Sequence, residues 1–233
     1  MTRVGTDRGF ERVLKHIADE VAFEPGYYND AYLGRRIAAR MRRRKVDGYD
    51  AYLRVLRRDD EERELLLDSL TINVTNFFRN PEMWASLRSV LRDLTVERRR
   101  VRAWSAPCAD GREPYSLAML ARDDEEVSAR RLTITGTDID REALETARRG
   151  EYETTRTTDI GAELAPLSDA DAYVEREGDR FRVRQSVKRM VDFERHDLIR
   201  DGARSGFDLV LCRNLLIYID TEYKQEIFDT ITD

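Results

Sequence analysis

The sequence predicts an α/β fold in which a small helical domain leads into a parallel sheet, and three observations carry that expectation. Residues 1 to about 70 show four amphipathic helical periods and no strand signal. From Val101 onward short apolar runs alternate with helical periods, the pattern of a parallel sheet with helices on its faces. Leu209 to Cys212, led in by Phe207, is a short apolar run that fits a strand buried on both faces, and it ends in Arg213-Asn214. Open α/β sheets hold their ligands beyond such carboxyl ends.

Each element has its own warrant. Phe10, Val13, Leu14, Ile17, Ala18 and Val21 recur at helical spacing. A second helix near 30 to 45 carries Leu33, Ile37 and Met41 four apart, a third spans about 50 to 57, and a fourth begins near Asp60 with Leu65, Leu66, Leu67 and Leu70. The segment 71–79, TINVTNFFR, breaks the pattern. Asn80-Pro81 then reads as an N-cap followed by proline at the first helical position, with Trp84, Leu87 and Leu91 on the apolar face. Strands are expected at Val101–Ser105 and Leu132–Thr137, each followed by a helix, about Glu113–Arg122 and Arg141–Arg149. The alternation lapses from 151 to about 190. There Tyr173–Arg176 and Arg180–Val183 flank Glu177-Gly178-Asp179, a hairpin in a small β-containing insertion. Val191–Glu194 returns to the main sheet, Phe207–Cys212 adds a strand, and Thr221–Ile231 is helical. The expected domains are 1–70, helical, and 71–233, α/β, with the insertion at 151–190.

Composition narrows the functional classes. No run of 18 apolar residues occurs, so no membrane insertion is expected, and the N-terminus MTRVGTDRGFERV is too polar for a signal peptide. Cys108 and Cys212 sit in unrelated segments without a CxxC, and His16 and His196 are the only histidines. A reduced, cytoplasmic protein with no metal site is the expectation. The net charge of -5 hides a basic stretch: ten Arg or Lys lie between Arg35 and Arg58, against Asp47 and Asp50. Such a run reads as a solvated helix face or as incidental affinity for nucleic acid.

The first strand, VRAWS, enters the loop APCADGREPYS, where a helix N-terminus offers free backbone N–H groups to a cofactor. The fingerprint GxGxxG is absent. Asp110-x-x-Glu113 also has the spacing of a capping box, so Glu113 is either a helix cap or a ligand-binding group. Asp138 ends the second strand, where a Rossmann-like sheet puts an acid on ribose hydroxyls, although a turn-forming role is equally open. Asp140 precedes Arg141-Glu142-Ala143-Leu144 and reads as an N-cap. Arg79 alone reads as a surface arginine before a helix, and Tyr218 as a core tyrosine.

Four blocks, TINVTNFFRN, WSAPCADGREPYSLA, TGTDID and FDLVLCRNLLIYID, in this order and spacing, resemble the chemotaxis receptor glutamate methyltransferases, the CheR family, from the N-terminal helices to Asp233. The resemblance implies a Rossmann-like methyltransferase domain with a small β-insertion, using S-adenosyl-L-methionine and releasing S-adenosyl-L-homocysteine. It implies cofactor contacts at Asn73, Thr75, Arg79, Glu113, Asp138, Asp197, Leu198, Arg213 and Asn214. Asp138 would hold the ribose and Asp197-Leu198 would border the adenine. Arg79 and Tyr218 match residues beside the transferred methyl group. The family usually has Asn-Leu where this chain has Asp197-Leu198, and STGEEPYS where it has ADGREPYS, so Asp110 replaces a threonine and Arg112 a glutamate.

The implied reaction is esterification of glutamates on the cytoplasmic helices of a chemoreceptor during adaptation, by a monomer. A basic helix of the N-terminal domain would face those acidic helices, and Arg36, Arg40 and Arg43/Arg44 recur at a spacing that forms one stripe. Two rivals are a methyltransferase for another substrate and a non-catalytic signalling module. Base-directed amine methyltransferases often carry [DN]PP[YF] after the fourth strand, where this chain reads NLLIY. The family continues past the helix at 221–231 with further sheet strands, so either a fragment or an incomplete sheet is expected here. The short turn EREGDRF implies an enzyme that does not depend on a receptor tail peptide.

Overall fold

The computed structural model describes residues 8–21, 23–70, 75–156 and 158–232. The chain divides into two compact units, one holding residues 8–70 with Asn214–Ile227, the other holding 75–213 and 228–232.

In the first unit the four expected helices are α1 (Arg8–Glu20), α2 (Asp30–Arg43), α3 (Tyr49–Leu56) and α4 (Asp60–Leu70). Asn29 caps α2, its side chain accepting from the Tyr32 N–H at 2.8 Å. Phe10, Val13, Ile17, Leu33, Ile37, Tyr52, Leu56 and Leu66 are buried together as the periodicity requires. Asn214–Ile227 joins this unit through Tyr28 and Ile219, which form an isolated bridge, and through Tyr218, whose carbonyl accepts from Asn29. Within this unit one expectation is corrected. Arg40 does not belong to an exposed stripe, because its guanidinium is buried and makes two hydrogen bonds to the fully buried Glu62 of α4. The i, i+4 spacing that aligned Arg40 with Arg36 and Arg44 also turned it toward α4. Arg44 pairs with Asp59, Arg36 lies over the Tyr32 ring, and Arg43 is exposed.

In the second unit α5 (Pro81–Glu97) precedes β1 (Val101–Ser105), α6 (Arg112–Asp123), β2 (Leu132–Asp138) and α7 (Arg141–Arg149). The insertion comprises β3 (Glu151–Glu153), α8 (Ile160–Glu163), β4 (Val174–Glu177), β5 (Arg180–Val183) and α9 (Gln185–Lys188), with its strands in the order β3-β5-β4. Then β6 (Val191–Arg195) and β7 (Leu209–Leu211) join β1 and β2 in a parallel sheet that has four strands among the described residues, ordered β6-β2-β1-β7, and α10 (Lys224–Thr232) ends the described chain. β1 is central, and its Val101, Ala103 and Trp104 are fully buried while Arg102 between them is exposed. β7 departs from expectation. It is three residues long, Leu209 and Val210 are only half-buried, and among the described residues it pairs with β1 alone. Phe207, expected in the strand, instead stacks on Trp104 at 5.3 Å.

The order places β1 beside β2 on one side and β7 on the other. The chain reverses direction across the sheet there, and ligands of such sheets bind beyond the carboxyl ends of these strands.

Candidate functional site

The loop after β1 is shaped by backbone geometry. It passes through a cis Ala106–Pro107 peptide, and Ala109 (φ 48°) and Gly111 (φ 88°) both take left-handed conformations. Gly111 has a second constraint, since a Cβ there would meet the Ala147 Cβ at 2.7 Å. The loop is fastened to the end of β2. Cys108 N–H donates to the Thr137 carbonyl at 2.8 Å, and Ala109 N–H donates to Asp138 Oδ2 at 2.7 Å. Asp138 Oδ1 accepts from the Asp140 N–H at 3.0 Å. Asp140 caps α7 by accepting from the Ala143 N–H, as its spacing predicted. Asp138 thus positions the loop, and its remaining lone pairs stay available to a hydroxyl.

Glu113 does not make the predicted capping box. The helix begins at Gly111 with no side-chain cap, and Glu113, 8% exposed, accepts from Ser105 Oγ at 2.8 Å and from Arg213 Nη1 at 3.1 Å. Arg213 Nη2 donates to the Arg79 carbonyl at 2.6 Å and to Asn80 Oδ1 at 2.9 Å, and its guanidinium faces Trp84. Asn80 stands at the N-cap of α5 as expected, but at φ 61° and without a capping hydrogen bond, because its side chain serves Arg213. Phe78, at φ 48°, is likewise left-handed, so Arg79 lies between two strained residues. Each such residue costs about 1–3 kcal/mol and persists only where neighbours fix it.

Thr75, Arg79, Glu113, Asp138 and Arg213 therefore belong to one unit and gather around the ends of β1, β2 and β7. Asp197 and Leu198, both buried, follow β6, and Asp197 Oδ1 accepts from the Ile199 and Arg200 N–H groups. Asn214 and Tyr218 belong to the first unit, where the Tyr218 ring packs 4.8 Å from Tyr32. Asn73 lies outside the described residues. The sequence reading missed the structural roles of Ser105, Ser116 and Glu163, which become visible only when their partners arrive from distant segments.

The electrostatics of this region are those of crowded, dry carboxylates. Burial pushes both Asp110 and Asp138 up to about 6, and it raises Glu113 against the opposing pull of Ser105, Arg213 and Arg79. A carboxyl raised in the folded state destabilises that state once it ionises. Its stabilising effect is full below about pH 4 and lost as the pH rises through about 6. Relative to Asp110→Asn, the protein should therefore lose about 2–3 kcal/mol between pH 4 and pH 6 and nothing further above that range. Urea unfolding of the two proteins at half-unit steps of pH measures this; a constant difference would refute it.

A cationic ligand relieves such a cluster, and the residues present fit S-adenosyl-L-methionine in that respect. Its sulfonium and ammonium groups suit the buried acids, and its ribose hydroxyls suit Asp138.

Comparisons with known proteins give the family of the chain. A family model described as CheR methyltransferase, all-alpha domain, matches residues 8–71, and one described as CheR methyltransferase, SAM binding domain, matches residues 73–233. A chemotaxis protein methyltransferase of Listeria monocytogenes is 33% identical over 226 residues, spanning 96% of this chain and 82% of that protein. The chemotaxis protein methyltransferase of Escherichia coli is 29% identical over 95% of this chain and 78% of its own length. Chemotaxis protein methyltransferase 1 of Pseudomonas aeruginosa is 34% identical, over 71% of this chain and 62% of that protein.

Proposed function

This chain belongs to the CheR methyltransferase family, and on that premise we propose that it methylates glutamate side chains on the cytoplasmic helices of a chemoreceptor. It is a methyltransferase with S-adenosyl-L-methionine as its methyl donor. The observation that carries the reading is the joint match of both domains, all-alpha and cofactor-binding, in family order. The buried acids at the strand ends support it.

Bound S-adenosyl-L-methionine supplies a methyl group on a positively charged sulfur. A glutamate carboxylate is ionised near pH 7, so its oxygen forms the new O–C bond without a base. The donor sulfur would keep the electron pair of the broken C–S bond, so no proton would have to move. The demands on the protein are alignment and exclusion of water. Arg79 draws the incoming carboxylate by charge-assisted hydrogen bonding, and its field already acts on Glu113. Asp138 would accept from the ribose hydroxyls, and Arg213 keeps Glu113 and the Arg79 backbone in register. In the helical unit, Arg43 and Arg36 carry the positive charge offered to an acidic receptor helix, since Arg40 and Arg44 are already paired. No helix among the described residues is long and apolar enough to cross a membrane.

The test is transfer of labelled methyl from S-adenosyl-L-methionine to a receptor signalling domain. Base-labile label is expected, and Arg79→Ala should lower the rate about 100-fold. Label on RNA but not on receptor, or base-stable label, would overturn the reading.

A further inference from the structure

The strained turn that presents Arg79 is held from outside. Phe77 N–H donates to Glu163 Oε2 at 3.0 Å, and Phe78 N–H donates to Ser116 Oγ at 2.9 Å. Arg112 gathers the pieces. Its Nη1 donates to the Thr75 carbonyl at 3.1 Å and lies 3.7 Å from Glu163 Oε2, and its Nε is 3.3 Å from Asp110 Oδ2. Its guanidinium faces the rings of Phe77 and Tyr152 at 5.9 and 5.2 Å, and its carbonyl accepts from Ser116 Oγ at 2.7 Å. The Arg112 Nε is buried without a hydrogen-bond partner.

We propose that Arg112, together with Glu163, is a positioning residue that holds Phe77–Asn80 in its strained form and so sets where Arg79 meets the substrate carboxylate. The inference rests on the role given to Arg79 above. Arg112 touches neither reacting atom. It acts by tying the cofactor loop, the turn and α8 into one body, so its loss should release the turn and leave the sheet intact.

Hydrogen exchange of the cofactor-free protein carries the test. Arg112→Ala should speed exchange at the Phe77 and Phe78 amides about tenfold and leave Leu132–Asp138 unchanged. Arg112→Lys should recover only part of the protection, because an ammonium lacks the planar fork. In methyl transfer, Arg112→Ala should lower kcat about tenfold while KM for S-adenosyl-L-methionine stays within about twofold. Glu163→Gln should act in the same direction, and the double variant should be no worse than about twofold below the poorer single. Unchanged exchange at Phe77 and Phe78, a loss carried by KM alone, or fully additive losses would each overturn the proposal. Failure of the unmodified protein to methylate receptor would sink the proposed reaction, while the exchange result would still decide whether Arg112 holds the turn.

Discussion

Arg213→Ala should lower the stability of the cofactor-binding unit by about 3 kcal/mol and methyl transfer by about 100-fold or more. The stability loss follows from what the guanidinium leaves behind. Glu113 would keep Ser105 as its hydrogen-bond donor but would lose the cation at 3.1 Å, in a position only 8% exposed. The Arg79 carbonyl and Asn80 Oδ1 would lose a donor at the same time. Breaking a buried pair by removing one partner is costly because the other charge stays behind, unsolvated. Burial already raises Glu113, so loss of Arg213 raises it further and moves its titration toward neutral pH.

The activity loss has a separate origin, and a second variant separates the two. Arg213→Ala with Glu113→Gln removes the orphaned charge and should recover more than half of the lost stability. It should recover none of the activity, since the Arg79 carbonyl then keeps only Trp84 Nε1, at 2.9 Å, of its two side-chain donors and Asn80 Oδ1 keeps no guanidinium. Arg213→Lys keeps the charge without the fork and should fall between the parent and Arg213→Ala in both respects. Thermal unfolding without cofactor, calorimetric affinity for S-adenosyl-L-methionine and receptor methylation rate are the three readouts. Stability of Arg213→Ala within about 0.5 kcal/mol of the parent would show that the pair does not bear on folding.

What was legible in the sequence divides by range. Asn29 and Asp140 cap their helices through partners three residues away, and a spacing rule finds such pairs. The central strand β1 was legible from its place in the strand–helix alternation, with Val101, Ala103 and Trp104 buried although Arg102 between them is exposed. β7 was read too long, since the strand is confined to Leu209–Leu211 and Phe207 lies outside it, stacked on Trp104. The polar interior was not legible. Glu113, Asn80 and Glu62 each satisfy a local rule, as capping-box acid, N-cap and solvated helical acid, yet each serves an arginine 22 to 133 residues away. Local spacing carries no record of a partner at that distance. The family motifs named Glu113 and Arg213 together, but only the fold shows that they bind one another.

Glu62→Ala should be the most damaging single change in the helical unit, at about 3–5 kcal/mol. Glu62 is fully buried, yet it sits in DEERELLL, a stretch that composition alone would leave in water. Its two oxygens accept from Arg40 at 3.0 and 2.6 Å and from the Tyr52 hydroxyl at 2.6 Å, with Arg44 Nε 3.5 Å away. Truncation strands a buried guanidinium between α2 and α4 and leaves a buried hydroxyl without an acceptor. A cost of that size consumes most of what a domain of this length has to spare. Arg40→Met with Glu62→Leu and Tyr52→Phe removes all three polar groups at once. That triple variant should return to within about 1 kcal/mol of the parent or exceed it, because a well-packed apolar replacement avoids desolvating the pair. Trp84 and Trp104 both lie in the other unit, so helical ellipticity in urea, not tryptophan emission, is the appropriate readout. If Glu62→Ala and the triple variant lost stability equally, the damage would come from packing volume and not from the orphaned charge.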